Sequence, residues 1–130
     1  MKKIPILLMM TLLLTGCAVP KPATEANTYR QITMQEAVEM MEKEENYIIL
    51  DVRTHEEFAA GHIPGAIVIP NETIGTEEIA RLPDKNQLIM VYCRSGNRSK
   101  QASDKLVKLG YTNIVEFGGI NSWPCETVSG

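Results

Sequence analysis

The stretch from Leu88 to Lys100, L-I-M-V-Y-C-R-S-G-N-R-S-K, constrains this chain more than any other. Leu88, Ile89, Met90, Val91 and Tyr92 form an almost uninterrupted apolar run, the pattern of a short strand buried on both faces of a parallel sheet. The run ends on Cys93 and the chain changes character at once. Arg94, Ser95, Gly96, Asn97 and Arg98 are polar, cationic or conformationally permissive, and Ser99 is a good N-cap for the helical stretch that follows. A loop between a strand end and a helix start turns backbone N–H groups inward, and the helix dipole adds partial positive charge at the same place. A cysteine there should have a depressed pKa and stand largely as thiolate, which makes Cys93 a candidate nucleophile. Arg94 and Arg98 add two fixed positive charges able to hold an anionic substrate.

The rest of the chain reads as a frame for that loop. At 130 residues and 44% hydrophobic content there is room for one domain with one sizeable core. The net charge of −3, with no basic run carrying interleaved aromatics, gives no footprint for nucleic acid. Two histidines and no cysteine cluster offer no metal-ligand set, and no cofactor is called for. Residues 1–16 have the plan of a secretory signal: Lys2 and Lys3, an apolar stretch from Ile4 to Thr15, then small residues. The apolar stretch is too short to span a bilayer comfortably. Its end, L-T-G-C from Leu14 to Cys17, resembles the bacterial lipobox, at which the signal is cut before a cysteine that becomes lipidated. That resemblance implies an extracytoplasmic lipoprotein held at a membrane by acyl chains on Cys17. The segment 17–28, with two prolines among small polar residues, reads as its flexible tether, and 29–130 as the folded domain.

Within that domain, Tyr29–Ile32 reads as a first short strand. Thr33 and Glu36 form a T-x-x-E capping box ahead of a helix with Met34, Ala37, Val38 and Met41 on its core face. Tyr47–Val52 is a second strand, and Thr54 with Glu57 opens a short helix that stops at Gly61. The Gly61–Gly65 turn, in which His62 is structural, leads to a third strand over Ala66–Ile69. A short helix is expected over Thr76–Arg81, and a turn over Pro83–Asn86 before the central strand. Ser99–Leu109 places Ala102, Leu106 and Leu109 on one face with Gly110 as its stop, and Ile114–Phe117 is a last strand. Strands alternating with helices predict an α/β fold: a central parallel sheet of about five strands, helices on both faces and ligands at the strands' C-terminal ends. Asp51 and Arg53, at such an end, are supporting residues that brace loops.

Three segments resemble the rhodanese-like domains: L-D-V-R-T-H-E-E-F-A-A-G-H-I-P-G-A (Leu50–Ala66), Y-C-R-S-G-N-R-S (Tyr92–Ser99) and F-G-G-I-N-S-W (Phe117–Trp123). Their order and spacing make the match specific, and it covers nearly all of the chain after Tyr29. The resemblance implies a sulfurtransferase. Cys93 would take the outer sulfur of a small anionic donor such as thiosulfate as a persulfide and pass it to cyanide or a thiol, including a protein thiol. Arg94, Ser95, Gly96, Asn97, Arg98 and Ser99 would bind the substrate. Two other readings stay open. Phosphatases and arsenate reductases share the fold, but C-x5-R places arginine six positions after the cysteine, where this chain has Ser99; Arg98 comes one residue early. The other is a tethered sulfur-relay or binding module with little turnover. Cys125 is assigned no role: it could be a partly buried free thiol, pair with Cys93 or resolve its persulfide, or pair between chains.

Overall fold

The computed structural model describes residues 28–75 and 77–130. The proposed signal segment, Cys17 and all of the tether but Thr28 lie outside them. Among the described residues no helix is long and apolar enough to cross a membrane.

Five strands, all parallel, form one sheet. They are β1 (Arg30–Gln31), β2 (Tyr47–Asp51), β3 (Ile67–Val68), β4 (Leu88–Cys93) and β5 (Ile114–Gly119), in spatial order β1-β5-β4-β2-β3. The apolar run around Val91 therefore lies at the centre, paired on both edges, and only Leu88 in it is not fully buried. Its side chains alternate between two cores, as the period of two in a strand requires. Ile89, Val91 and Cys93 face a cluster with Leu50, Val52, Ala102, Leu106, Tyr111 and Ile114. Met90 and Tyr92 face another with Ala37, Ile49, Ile63 and Phe117.

The helices cover both faces. α1 (Met34–Lys43) opens on the expected Thr33–Glu36 capping box, both reciprocal hydrogen bonds being present. It buries Ala37 on the Met90 side and packs partly buried Met34, Met40 and Met41 against the same cluster, so these methionines serve packing. α2 (His55–Ala60) opens on the Thr54–Glu57 box and ends at Gly61. α3 (Asn97–Lys108) lays Ala102 and Leu106 on the Val91 side. His62 is structural as expected: its ring stacks on Phe58 at 3.6 Å and its Nδ1 lies 2.8 Å from the Phe58 carbonyl oxygen. The chain's end returns to this turn, Val128 pairing antiparallel with His62.

Two expectations about helices need correction. Residues 77–81 form bends and a turn, not a helix. The segment is too short to sustain helix by itself, and it has only half-buried Ile79 to pack. What holds it is a turn bond from Leu82 N to the Ile79 carbonyl and a bond from Arg81 Nη1 to the Val68 carbonyl at 2.7 Å. The helix after Cys93 also starts earlier than a Ser99 cap implies. Its N-cap is Gly96 at φ +111°, a left-handed conformation that glycine adopts at little cost. Ser99 is already inside the helix, with its side chain fully buried.

Candidate active site

A shift in the β4–β5 register between Val91 and Cys93 marks where the central strand gives way to the loop. Cys93 sits at that C-terminal end, 1% exposed, with Gly119 of β5 as its sheet partner. The chain turns sharply through Arg94, Ser95 and Gly96 and enters α3, so its first N–H groups converge on the sulfur. Gly96 N donates to Cys93 Sγ at 3.0 Å, and the Ser99 hydroxyl oxygen lies 3.5 Å from it. Burial alone pushes the Cys93 thiol up. Against it act the Ser99 hydroxyl and the backbone N–H groups of Ser99, Gly96 and Ser95, and together they hold the thiol below its ordinary value. The arrangement is a recessed thiol in a cradle of N–H groups, fit to carry negative charge on sulfur.

The loop is braced from two sides. From the end of β5 and the turn after it, Gly119 passes so close that a Cβ there would lie 2.0 Å from the Arg94 carbonyl oxygen, and Asn121 N donates to that same oxygen at 3.2 Å. From α2, Glu57 takes both ends of the Arg98 guanidinium, at 2.8 and 3.0 Å. Arg98 holds the Glu57 carboxyl down at about 2, against burial and with help from the Thr54 N–H and hydroxyl. The same Oε1 accepts from Thr54 N at 3.0 Å. One carboxylate thus caps α2 and ties it to α3.

The two arginines that the sequence offers as anion receptors therefore differ. Arg98 is half-buried and neutralised by Glu57. Arg94 is exposed, and no ion pair reaches it among the described residues. It lines a cavity of about 330 Å³ together with Arg53, Glu57, Gly61, Asn121 and Thr127. A larger cavity of about 650 Å³ lies between β3 and residues 77–81 and contains none of the loop. Ser95 and Asn97 are exposed on the loop's outer side, whereas Gly96 and Ser99 are buried.

Asp51 and Arg53 stand behind the loop. Asp51 is fully buried; its Oδ1 accepts from Arg53 N at 2.9 Å and Nε at 3.0 Å, and its Oδ2 accepts from Arg53 Nη2 and Tyr92 Oη, both at 2.6 Å. Arg53 Nη2 also donates to the Gly61 carbonyl at 2.7 Å, and Tyr92 Oη accepts from Ile63 N at 3.1 Å. Burial, then Asp51, raises the Tyr92 hydroxyl well above its ordinary value, so it stays a donor. This network joins the ends of β2 and β4 to the Gly61–Gly65 turn. Sequence reasoning found Asp51 and Arg53 but missed Tyr92, which reads there as one more apolar strand residue. It also missed Glu116, a carboxylate in the middle of β5 that is 2% exposed; a charge inside an otherwise apolar strand was the available signal. Cys93 and Cys125 are both free thiols, and Cys125 is exposed, not partly buried as expected.

The model of the Rhodanese-like domain family matches residues 33–124. The chain is 36% identical over 81 residues to the thiosulfate sulfurtransferase PspE of Escherichia coli, covering 62% of this chain and 78% of that protein. It is 32% identical over 107 residues to the thiosulfate sulfurtransferase GlpE of Pseudomonas putida, covering 78% and 94%. Among solved structures, a rhodanese with anions from E. coli superposes with a TM-score of 0.59 at 38% identity, over 65% of this chain and 99% of that one. A rhodanese-like domain protein from Staphylococcus aureus gives 0.67 at 31% identity, over 78% and 98%.

Proposed function

This chain belongs to the rhodanese-like domain family, and from that premise we propose that it is a sulfurtransferase working through a persulfide on Cys93. The observation that carries the assignment to this residue is the cradle itself. A thiol at the end of the central strand receives the Gly96 N–H at 3.0 Å and is held below its ordinary pKa by surrounding hydrogen bonds.

The thiolate attacks the outer sulfur of an anionic donor such as thiosulfate. The bond from sulfur to sulfite breaks with its electron pair on sulfite, and the new S–S bond leaves a persulfide anion. Its charge is met by fixed N–H dipoles that need no reorganisation when it forms. A thiolate or cyanide then attacks the terminal sulfur and regenerates Cys93, so the kinetics are double-displacement. Exposed Arg94 at the mouth of the loop attracts the anionic donor, while Arg98, saturated by Glu57, holds the loop in shape. The acceptor class includes a protein thiol.

The proposal carries an address. The signal-like residues 1–16 and Cys17 after L-T-G support an extracytoplasmic lipoprotein with the domain tethered at the membrane surface. The full chain purified in detergent is expected to transfer sulfur from thiosulfate to cyanide and to a dithiol. Activity should vanish in Cys93→Ser, and no phosphate should be released from an aryl phosphate. Silence in both sulfur assays from a reduced, folded protein would favour the relay-module reading, and phosphate release that depends on Cys93 would favour the phosphatase. For the address, Cys17→Ser is expected to move the protein out of the membrane fraction; unchanged partitioning would refute the anchor.

A further inference from the structure

The cavity of about 330 Å³ beside the active loop is larger than a small sulfur donor needs. It is bounded by the Ala60–Gly61 end of α2, by Ile120 and Asn121 after β5, by Arg94 of the loop and by Thr127 of the tail. Neither Cys93 nor any residue from Ser95 to Ser99 lines it. A donor such as thiosulfate, with its outer sulfur touching Cys93, therefore leaves most of this space empty. At about 30 Å³ for an atom the size of a water, there is room for roughly ten non-hydrogen atoms, about twice thiosulfate. The tail is pinned at the cavity's edge by backbone bonds from His62 N to the Val128 carbonyl at 2.8 Å and from Gly130 N to the Ala59 carbonyl at 2.9 Å. Thr127 lies beyond the residues 33–124 that the family model matches, so this wall is not part of what that match covers.

The charges around the cavity favour a single anion. Glu57 is held by both ends of Arg98. Arg53 is 5% exposed, and its Nε and Nη2 are engaged by Asp51 and the Gly61 carbonyl. Its Nη1 has no hydrogen-bond partner among the described residues. The Arg53–Asp51 and Arg98–Glu57 pairs each cancel. Arg94 is exposed without an ion pair and leaves one net positive charge. A buried guanidinium with a spare donor and an exposed one with no resident partner thus line the same space, and planar N–H donors of this kind suit a carboxylate.

We propose that this cavity is the acceptor's site: it takes a thiol that carries one carboxylate several bonds from its sulfur, and Arg94 with Arg53 Nη1 binds that carboxylate while the thiolate reaches Cys93. This names the acceptor class of the sulfurtransferase reading and rests on it. In a double displacement sulfite has left before the acceptor arrives, so Arg94 serves the donor first and the acceptor after it. The acceptor gives its thiol proton to solvent, and its thiolate attacks the terminal sulfur of the Cys93 persulfide. The bond between the two persulfide sulfurs breaks with its electron pair on Cys93, and the acceptor leaves as a persulfide anion of its own. A carboxylate only one carbon from the reacting sulfur stays at the loop and does not reach into the cavity, so the preference depends on the length of the spacer.

The test begins with the full chain loaded from thiosulfate and freed of excess donor, the added sulfur being located on the Cys93 peptide by mass spectrometry. Its removal is then timed with 6-mercaptohexanoate against 6-mercaptohexanol, and with mercaptoacetate against mercaptoethanol, each rate taken per thiolate. The long acid is expected to act about tenfold faster than the long alcohol, and the short pair to differ by less than about twofold. Ala60 is exposed at the end of α2 and lines the cavity, so Ala60→Glu sets a carboxylate there and should bring the long pair to parity. Ala60→Gln, of the same shape without the charge, should keep the preference, and Arg94→Gln should lose most of it. The ratio within each variant is insensitive to a change in its overall rate. Equal rates from the long pair in wild type would overturn the site. A preference as large in the short pair would reduce it to a general pull on anions, and one that survives Ala60→Glu or Arg94→Gln would place its cause elsewhere. Loss in Ala60→Gln as complete as in Ala60→Glu would mean that space and not charge decides, and the arginine receptor would be wrong. Any of these results on a loaded chain removes the acceptor site and leaves the function standing. A chain that gains no sulfur on Cys93 removes the function and the acceptor site with it.

Discussion

Gly119→Ala is expected to lower sulfur transfer by about 100-fold or more, the scale on which misplacing a reacting group by ~1 Å acts, while leaving the sheet paired. The Cβ it adds would stand 2.0 Å from the Arg94 carbonyl oxygen, 2.4 Å from its carbon and 2.6 Å from Ser95 Cα, where real Cβ contacts do not fall below 3.0 Å. The conflict is steric and not torsional, since Gly119 has φ −134° and ψ 154°, a conformation any residue adopts. All three atoms are backbone, so no side chain can swing aside. Gly119 pairs with Cys93, and the Asn121 N–H two residues on holds the Arg94 carbonyl. The segment most able to give is therefore the Arg94–Gly96 turn, which aims the N–H groups at sulfur. Both kcat/KM with thiosulfate and the rate of Cys93 alkylation at neutral pH should fall. Gly75→Ala, whose added Cβ would meet nothing within 4 Å, should match wild type in both. Wild-type rates from Gly119→Ala would mean that the close crossing is not what holds the loop.

That crossing shows where a sequence stops being legible. The apolar run, the cysteine at its end and the permissive residues after it are local features, and local patterning is enough to place a buried strand followed by a turn. Both capping boxes were readable for the same reason, each closing within four residues. What the boxes do next was not. Glu57 reaches Arg98 across 41 positions, and only the packing of α2 beside α3 makes them neighbours. Arg98 accordingly looked like a receptor for substrate, yet the structure gives it a resident carboxylate. Two local rules compete at Ser99. A serine ahead of a helix usually caps it, but Gly96 can take positive φ and starts the helix earlier, which turns Ser99 inward onto Cys93 and Glu116. The Ser99–Glu116 contact depends on β5 lying beside β4, a strand order that periodicity does not reveal.

Asp51→Asn is expected to destabilise the domain by about 3–5 kcal/mol, a large share of the roughly 5–15 kcal/mol available to a domain of this kind. The change is nearly isosteric, so no cavity accounts for it. Asp51 accepts four hydrogen bonds with two oxygens, three from Arg53 and one from Tyr92, if the shorter contact of Arg53 Nε is counted. An asparagine has one such oxygen and would turn an N–H₂ group toward either the guanidinium or the tyrosine hydroxyl. Arg53, only 5% exposed, would keep its charge without a counter-ion. Urea unfolding should show the loss as a lower midpoint with an unchanged slope. Tyr92→Phe should cost less, about 1–3 kcal/mol, because it leaves the Asp51–Arg53 pair intact and removes hydrogen bonds to Asp51 and Ile63 N. The two changes share one network, so the double variant should lose less than the sum of the singles. A loss below about 1 kcal/mol for Asp51→Asn would show that the buried pair is not what fixes the strand ends. The network lies directly behind Cys93, with Tyr92 its neighbour in β4. Transfer activity should therefore fall in Asp51→Asn even at temperatures where the chain remains folded, and by more than in Tyr92→Phe.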